Sequence, residues 1–149
     1  MIVYRFTPVQ YSNDISGEGS RIYGGRWNSI GLPVVYTSST ISLSLLEILV
    51  YSASYDQLQN NILVRIEVPD TASSVISGSA LPAKWLNDPD YSRYIGDEFL
   101  IQKKSLLLRV PSAIIPEEYN ILINPLHPDF KKVKISSAKK FEFDGRLFK

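Results

Sequence analysis

The chain has 149 residues, of which 44% are hydrophobic and 21% charged, and this size and balance are typical of one globular domain with an apolar core. Cysteine is absent and histidine occurs once, which excludes zinc sites of the Cys/His kind, haem thiolates and iron–sulfur clusters. The formal net charge of +1 is too small to indicate nucleic-acid binding. We expect a cytoplasmic protein of one domain, residues 1–149, because no signal-peptide pattern and no apolar run of about 20 residues is evident.

The first half of the chain predicts three strands and one helix. A strand at 3–6 is followed by a long polar connection at 10–25, of a length that is usually functional or disordered. A short strand at 33–37 precedes hydroxyl residues suited to capping, and an apolar helix is predicted at 41–51. Residues 61–69 alternate between apolar and polar, which indicates a half-buried strand.

The second half is predicted to be mostly β. The pattern is weak at 71–102, where turn residues at Gly78, Asn87-Asp88-Pro89 and Gly96 separate short helices near 84–86 and 97–103. Strands are predicted at 106–110, 121–124, 132–135 and 140–143. Helices are too few for a repeating βαβ sheet, so the sequence favours an α+β fold with a largely antiparallel sheet.

The C-terminal residues 131–149 are basic. They contain seven Lys and Arg residues and two Asp and Glu residues, and seven minus two gives a local charge of +5. We interpret these lysines as a solvated strand face, with contact to an acidic partner as the alternative.

Glu47 is isolated among uncharged residues. From Trp27 to Tyr55 no other side chain is Asp, Glu, Lys, Arg or His, and leucine, isoleucine and valine surround Glu47 in the predicted helix. A carboxylate on an apolar helix face must be paired or hydrogen-bonded, and such groups are frequent at functional sites. The alternative is structural, because Ser44 and Glu47 match a capping box at a helix start.

A glycine pair stands directly before an arginine and an aromatic residue. Gly24 and Gly25 let the backbone approach a ligand, and Arg26 offers a fork of N–H donors suited to phosphate or carboxylate. The pattern predicts a cradle for a phosphorylated ligand, although it matches neither the dinucleotide fingerprint nor a Walker loop. Trp27 and Tyr36 could stack on a nicotinamide or adenine ring, and core packing is the favoured alternative for Trp27.

Five motifs, taken together and in order, resemble the RES domain family, which is named for an arginine, a glutamate and a serine. The similarity extends from Arg5 to the closing residues 143–147 and so covers essentially the whole chain. The motifs are Gly24-Gly25-Arg26-Trp27-Asn28-Ser29-x-Gly31, Val34-Val35-Tyr36-Thr37-Ser38, Leu46-Glu47, Val110-Pro111-Ser112 and Ile123-Asn124-Pro125-x-His127-Pro128.

The resemblance implies a toxin of the bacterial RES–Xre type II toxin–antitoxin systems, with a mostly antiparallel split sheet related to ADP-ribosyltransferases. It assigns catalysis to Arg26, Glu47 and Ser112, and it implies NAD as the substrate, with no metal. NAD would be bound by these three residues together with Tyr36 and Trp27. Tyr51 departs from the family, whose members often have histidine there, whereas Arg26, Tyr36, Glu47 and Ser112 are all present.

The implied reaction cleaves the nicotinamide–ribose bond of NAD. Glu47 would stabilise positive charge on the ribose, Arg26 would bind the pyrophosphate, and Ser112 would orient the ribose or the nicotinamide amide. Water as acceptor gives hydrolysis, phosphate gives phosphorolysis, and a protein side chain gives ADP-ribosyl transfer. The implied partner is an Xre-like antitoxin that blocks the active site in a hetero-oligomer, while the toxin itself contacts neither nucleic acid nor membrane.

Three other functions are weighed against this one. A serine hydrolase would use Ser112 and His127, although no nucleophile elbow surrounds Ser112. A nucleic-acid-targeting toxin would use Lys139 and Lys140 in the basic C-terminal strands. A non-catalytic interaction module would bind its partner and leave NAD unchanged.

Overall fold

A computed structural model describes residues 1–70 and 73–148, and within them a sheet and four α-helices follow the chain. The strands are β1 (Ile2–Pro8), β2 (Val35–Ser38), β3 (Asn61–Glu67), β4 (Ser74–Val75), β5 (Leu107–Pro111), β6 (Tyr119–Ile123) and β7 (Lys134–Lys140). The helices are α1 (Glu18–Tyr23), α2 (Ile41–Tyr51), α3 (Tyr55–Gln59) and α4 (Pro89–Gln102). No helix in these two ranges is long and apolar enough to cross a membrane.

The seven strands form one mixed sheet in the order β4-β5-β6-β2-β1-β3-β7. Neighbouring strands are antiparallel except β4 and β5, which are parallel. Strands β1 and β2 share a single residue pair, Tyr4 with Ser38, whereas β1 pairs with β3 along its whole length. The sheet therefore splits between β1 and β2, and the predicted α+β fold with a mostly antiparallel split sheet is confirmed.

Apolar side chains cover both faces of the sheet. Along β6, Ile121 and Ile123 face one cluster while Leu122 faces another, as the two-residue period of a strand requires. Helix α4 packs Leu100 against the second cluster. Helix α2 packs its apolar residues against a third cluster around Phe6, so it lies across the half of the sheet that begins with β1.

Helix α2 has the predicted bounds, but several other predictions were wrong. The two strands predicted at 132–135 and 140–143 are one strand, β7, and residues 141–143 leave the sheet so that Phe141 and Phe143 pack on Phe6. Strand β7 has one extra residue, Ser136, opposite Arg65 and Ile66 of β3, and this β-bulge breaks the alternation along β7, which explains the missing pattern.

The weakly patterned middle of the chain also differs from its prediction. The helix expected at 97–103 is the longer α4, which begins with Pro89 at its first position after Asp88, where proline is favoured. The short helix expected at 84–86 is a 3₁₀ turn, Trp85–Asn87. The polar connection at 10–25 contains a 3₁₀ turn and α1, which no apolar period had indicated.

Candidate active site

A cavity of about 670 Å³ lies where the sheet splits, because its lining includes residues from β1, β2 and the helix α2. This volume is within the range of small-molecule sites. Arg26, Trp27, Tyr36 and Glu47 all line it, so four of the predicted site residues meet in one place. An adjoining cavity of about 480 Å³ shares Ile48 and Tyr51, but its described lining residues carry no charged side chain.

Glu47 lies inside α2 and does not cap it. The helix begins at Ile41, and the Thr40 hydroxyl accepts a hydrogen bond from the backbone N–H of Leu43 at 3.1 Å. The capping-box alternative for Ser44 and Glu47 is therefore wrong. Thr40 has already capped the helix, so the Glu47 carboxylate is free for contacts with other elements.

One carboxylate oxygen of Glu47 receives two hydrogen bonds from the sheet. The Ser112 hydroxyl donates to Oε1 at 2.9 Å, and the side-chain amide of Asn120 donates to the same atom at 2.6 Å. Ser112 follows β5 directly and is fully buried, and its hydroxyl accepts the backbone N–H groups of Ile114 and Ile115 at 3.0 and 3.1 Å. The structure thus places Ser112 behind Glu47.

Asn120 and Ser38 are parts of this site that sequence reasoning missed. Asn120 lies on β6 and pairs in register with Ser38 of β2. The Ser38 hydroxyl donates to Oδ1 of Asn120 at 2.7 Å, and both residues line the cavity. Ser38 ends one of the five motifs but was given no role in the site, and no local pattern marks Asn120. Only the pairing of β2 with β6 brings them to Glu47.

The Tyr36 hydroxyl both donates and accepts a hydrogen bond within the 24–28 loop. It donates to Oδ1 of Asn28 at 2.5 Å and accepts the backbone N–H of Trp27 at 3.1 Å. Burial raises the pKa of Tyr36 well above its usual range, so the hydroxyl stays neutral. A Cβ atom on Gly25 would lie 2.6 Å from this hydroxyl, which explains why residue 25 is a glycine. The ring of Tyr36 remains as a wall of the cavity.

Asn28 fixes the loop that carries Arg26. It is fully buried, and its side-chain amide donates to the carbonyl oxygens of Ser20 at 2.8 Å and Leu32 at 2.9 Å. The Asn28 side chain therefore ties its own loop to two other backbone segments. The sequence predicted a ligand cradle here, and in the structure these buried hydrogen bonds hold the loop of that cradle in place.

Helix α4 closes the loop from the other side. The Ser92 hydroxyl donates to the carbonyl oxygen of Arg26 at 2.6 Å, and Asp97 accepts the backbone N–H of Ser29 at 2.8 Å. Gly96 lies against the backbone of Trp27, since a Cβ atom at Gly96 would be 1.6 Å from the Trp27 carbonyl oxygen. The glycine predicted as a turn is instead a helical residue that allows this close approach.

The arginine itself lies over an aromatic ring at the cavity. Arg26 donates to the carbonyl oxygen of Leu86 at 3.2 Å, and its guanidinium lies 5.8 Å from the centre of the Trp85 ring. Among the described residues this bond uses one of five N–H donors, which leaves others for an anion. Trp27 is only 3% exposed and packs on Trp85 with ring centres 5.8 Å apart, so it combines core packing with a place in the wall.

His127 is not brought to Ser112. Its Nδ1 atom accepts the backbone N–H of Asp129 at 3.0 Å and caps a 3₁₀ turn, whereas the Ser112 hydroxyl donates to Glu47. The geometry gives no support to the serine-hydrolase alternative. In residues 1–70 and 73–148 no group of three His, Cys, Asp or Glu side chains is arranged to hold a metal ion.

Tyr36→Phe is expected to lower the free energy of unfolding by about 1–3 kcal/mol, because it leaves the buried Oδ1 of Asn28 and the N–H of Trp27 without partners. Urea unfolding followed by fluorescence measures this change. Tyr94→Phe on α4 is the matched control, since Tyr94 is 65% exposed, and it should leave stability unchanged. Equal stability of the two variants would contradict the role of the Tyr36 hydroxyl.

Comparison with known proteins places these features in a family. The family model described as "RES domain" matches residues 2–144. A "Prs ADP-ribosylating toxin" of Sphingobium sp. (strain YBL2) is 39% identical over 93% of this chain and 89% of its own length. A "Toxin Res" of Photorhabdus laumondii is 39% identical over 100% of this chain and 98% of its own.

A solved structure shares the fold. A chain in the crystal structure of the M. tuberculosis MbcT–MbcA toxin–antitoxin complex superposes with a TM-score of 0.75 over 94% of this chain and 83% of that one, at 18% sequence identity. The family match spans nearly every described residue, and the relatives named above are toxins. The chain therefore belongs to the RES domain family.

Proposed function

We propose that this protein is the toxin of a toxin–antitoxin pair and that it cleaves the nicotinamide–ribose bond of NAD. The observation that carries the proposal is the Glu47 carboxylate, held at one oxygen by Ser112 and Asn120, in the same cavity as Arg26 and Tyr36. Membership of the RES domain family and the toxin names of its relatives support it.

The charges of the cavity are complementary to those of NAD. The guanidinium of Arg26 suits the pyrophosphate, and the rings of Tyr36 and Trp27 offer apolar walls for nicotinamide. When the bond from the ribose C1′ to nicotinamide breaks, its electron pair leaves with the ring nitrogen. Positive charge then develops on the ribose, and the carboxylate of Glu47 stabilises it.

The acceptor at C1′ distinguishes three products. With water as acceptor the products are ADP-ribose and a proton. With inorganic phosphate the product is ADP-ribose phosphorylated at C1′, and with a side chain of a target protein it is the ADP-ribosylated protein. The name of the Sphingobium relative favours the last as the second candidate. In all three reactions free nicotinamide is released, so this product tests the shared step.

The deciding experiment incubates purified protein with NAD, with and without phosphate, and follows nicotinamide and the ribosyl product by chromatography. A third arm adds a cell extract and labelled NAD, and mass spectrometry identifies labelled proteins. We expect nicotinamide release in at least one arm. Folded, antitoxin-free protein that releases none in all three arms would overturn the proposal.

We further propose an antitoxin of the Xre-like helix-turn-helix kind that covers the cavity. Support comes from the family and from the structural neighbour, which was solved as a toxin–antitoxin complex. Addition of the antitoxin from the neighbouring gene is expected to stop nicotinamide release at a stoichiometric ratio. Full activity of the complex would contradict this arrangement.

Arg26→Lys is expected to raise the KM for NAD roughly 10-fold with a smaller change in kcat, because an ammonium group replaces a bidentate fork of N–H donors. Steady-state kinetics of nicotinamide release measures both constants. Arg146→Lys is the matched control, since Arg146 pairs with Asp144 at the surface. A KM that is unchanged in Arg26→Lys would show that Arg26 does not bind the pyrophosphate of NAD.

A further inference from the structure

We infer that Asn120 is a positioning residue for the reaction, and that it fixes which oxygen of Glu47 faces the substrate. The inference rests on the proposed function and extends it to a residue outside the family's arginine, glutamate and serine. Asn120 lies 73 residues from Glu47 in sequence and meets it only through the sheet.

The orientation of the Asn120 amide is dictated by its neighbours. An ionised carboxylate only accepts hydrogen bonds, so the NH₂ group of Asn120 must face Glu47. The carbonyl end then faces Ser38, whose hydroxyl donates to it at 2.7 Å. Ser38 is 3% exposed, so this donor is held in place and the amide has one satisfied orientation.

Both donors meet at the same oxygen of Glu47. Ser112 and Asn120 each donate to Oε1, which satisfies that atom. Within residues 1–70 and 73–148 no group donates to Oε2, and Glu47 lines the cavity. Oε1 of Glu47 is therefore held by hydrogen bonds from the sheet, and Oε2 is left to stabilise the positive charge that develops on the ribose.

The two donors differ in exposure, which separates their roles. Ser112 is fully buried and also ends the backbone turn through Ile114 and Ile115. Asn120 is half-buried and lines the cavity wall beside Glu47. Removing Asn120 should release the carboxylate on the side of the cavity, with little effect on the turn that Ser112 holds.

The first test is Asn120→Ala. We expect kcat for nicotinamide release to fall about 10- to 100-fold and the KM for NAD to change less than about 2-fold, because a small displacement of a reacting group costs this much. Asn60→Ala, an exposed amide beside the adjoining cavity, is the matched control and should match the wild type. An unchanged kcat, or a loss confined to KM, would overturn the inference.

The second test is Asn120→Asp, which introduces a group that donates only when protonated. At high pH two carboxylates face each other, whereas at lower pH a shared proton restores a donor to Glu47. Among the described residues, Arg26, Tyr36 and Tyr51 are the other titratable groups lining the cavity, and they are the same in the variant and the wild type. The ratio of variant to wild-type kcat should rise as pH falls from about 8 to about 5.5. A ratio independent of pH would show that Asn120 does not act through Glu47.

A crystal structure of Asn120→Ala separates this inference from the proposed function. We expect the Glu47 side chain to leave its position or to occupy more than one rotamer while residues 112–115 stay in place. This readout needs no turnover, so a wild type that releases no nicotinamide leaves it valid. A single Glu47 rotamer with Oε1 still on Ser112 would contradict the positioning role.

Discussion

Glu47→Gln is expected to lower kcat for nicotinamide release by about 10³-fold while the fold is retained. Glutamine has the shape of glutamate, and its carbonyl oxygen can still accept from Ser112 and Asn120. What disappears is the negative charge facing the ribose. Steady-state kinetics of nicotinamide release, alongside thermal unfolding, measures kcat and stability in the same preparation.

The control for this substitution is Glu67→Gln, at the exposed end of β3 and outside the cavity. It removes the same charge from the chain and should leave kcat unchanged. NAD binding by calorimetry should be retained in Glu47→Gln, because Arg26 and the aromatic walls remain. An unchanged kcat in Glu47→Gln would show that the charge of Glu47 has no role in the reaction.

Gly96→Ala is expected to lower the free energy of unfolding by about 3 kcal/mol, although alanine is the better helix former by about 1 kcal/mol. The added methyl group would be 1.6 Å from the carbonyl oxygen of Trp27, and that neighbour is backbone. Helix α4 must then move away from the loop that carries Arg26. Ser92 and Asp97 move with it, so nicotinamide release should fall as well.

Urea or thermal unfolding measures this change, with a fall in Tm of roughly 10 °C for a chain of this size. Gly19→Ala on α1 is the matched control, since a Cβ atom there meets nothing within 4 Å. That variant should be as stable as the wild type or more stable by about 0.4–1 kcal/mol. Equal stability of Gly96→Ala and the wild type would show that α4 does not need the close approach.

Helix α2 is predicted from sequence with its observed bounds because two local signs agree there. Hydroxyl residues precede a mostly apolar helix, and Thr40 does cap it. The isolation of Glu47 among uncharged residues predicts a carboxylate that needs hydrogen-bond partners, and the structure supplies Ser112 and Asn120. Arg26, Tyr36 and Glu47 are predicted to share a site, and the structure places them around one cavity. Their roles in NAD cleavage stay predictions.

Other features depend on contacts between distant segments. Gly96 looked like a turn residue, because in sequence a glycine that admits a neighbouring backbone resembles one that ends a helix. Nothing in the local sequence indicated that Asn120 belongs to the site, because its position beside Glu47 depends on the register of β6 against β2. The β7 strand lacked alternation because it contains a bulge at Ser136, which shifts its pairing with β3.

The order of strands in the sheet has a consequence for synthesis of the protein. Glu47 is made early, but β6 brings Asn120 to it only after another 73 residues, and Ser112 is also late. A ribosome-bound chain that stops before β6 lacks Asn120, and it lacks the strand that joins β5, which Ser112 follows, to β2. The cavity is therefore completed only when most of the chain has been translated, and shorter translation products lack the assembled site.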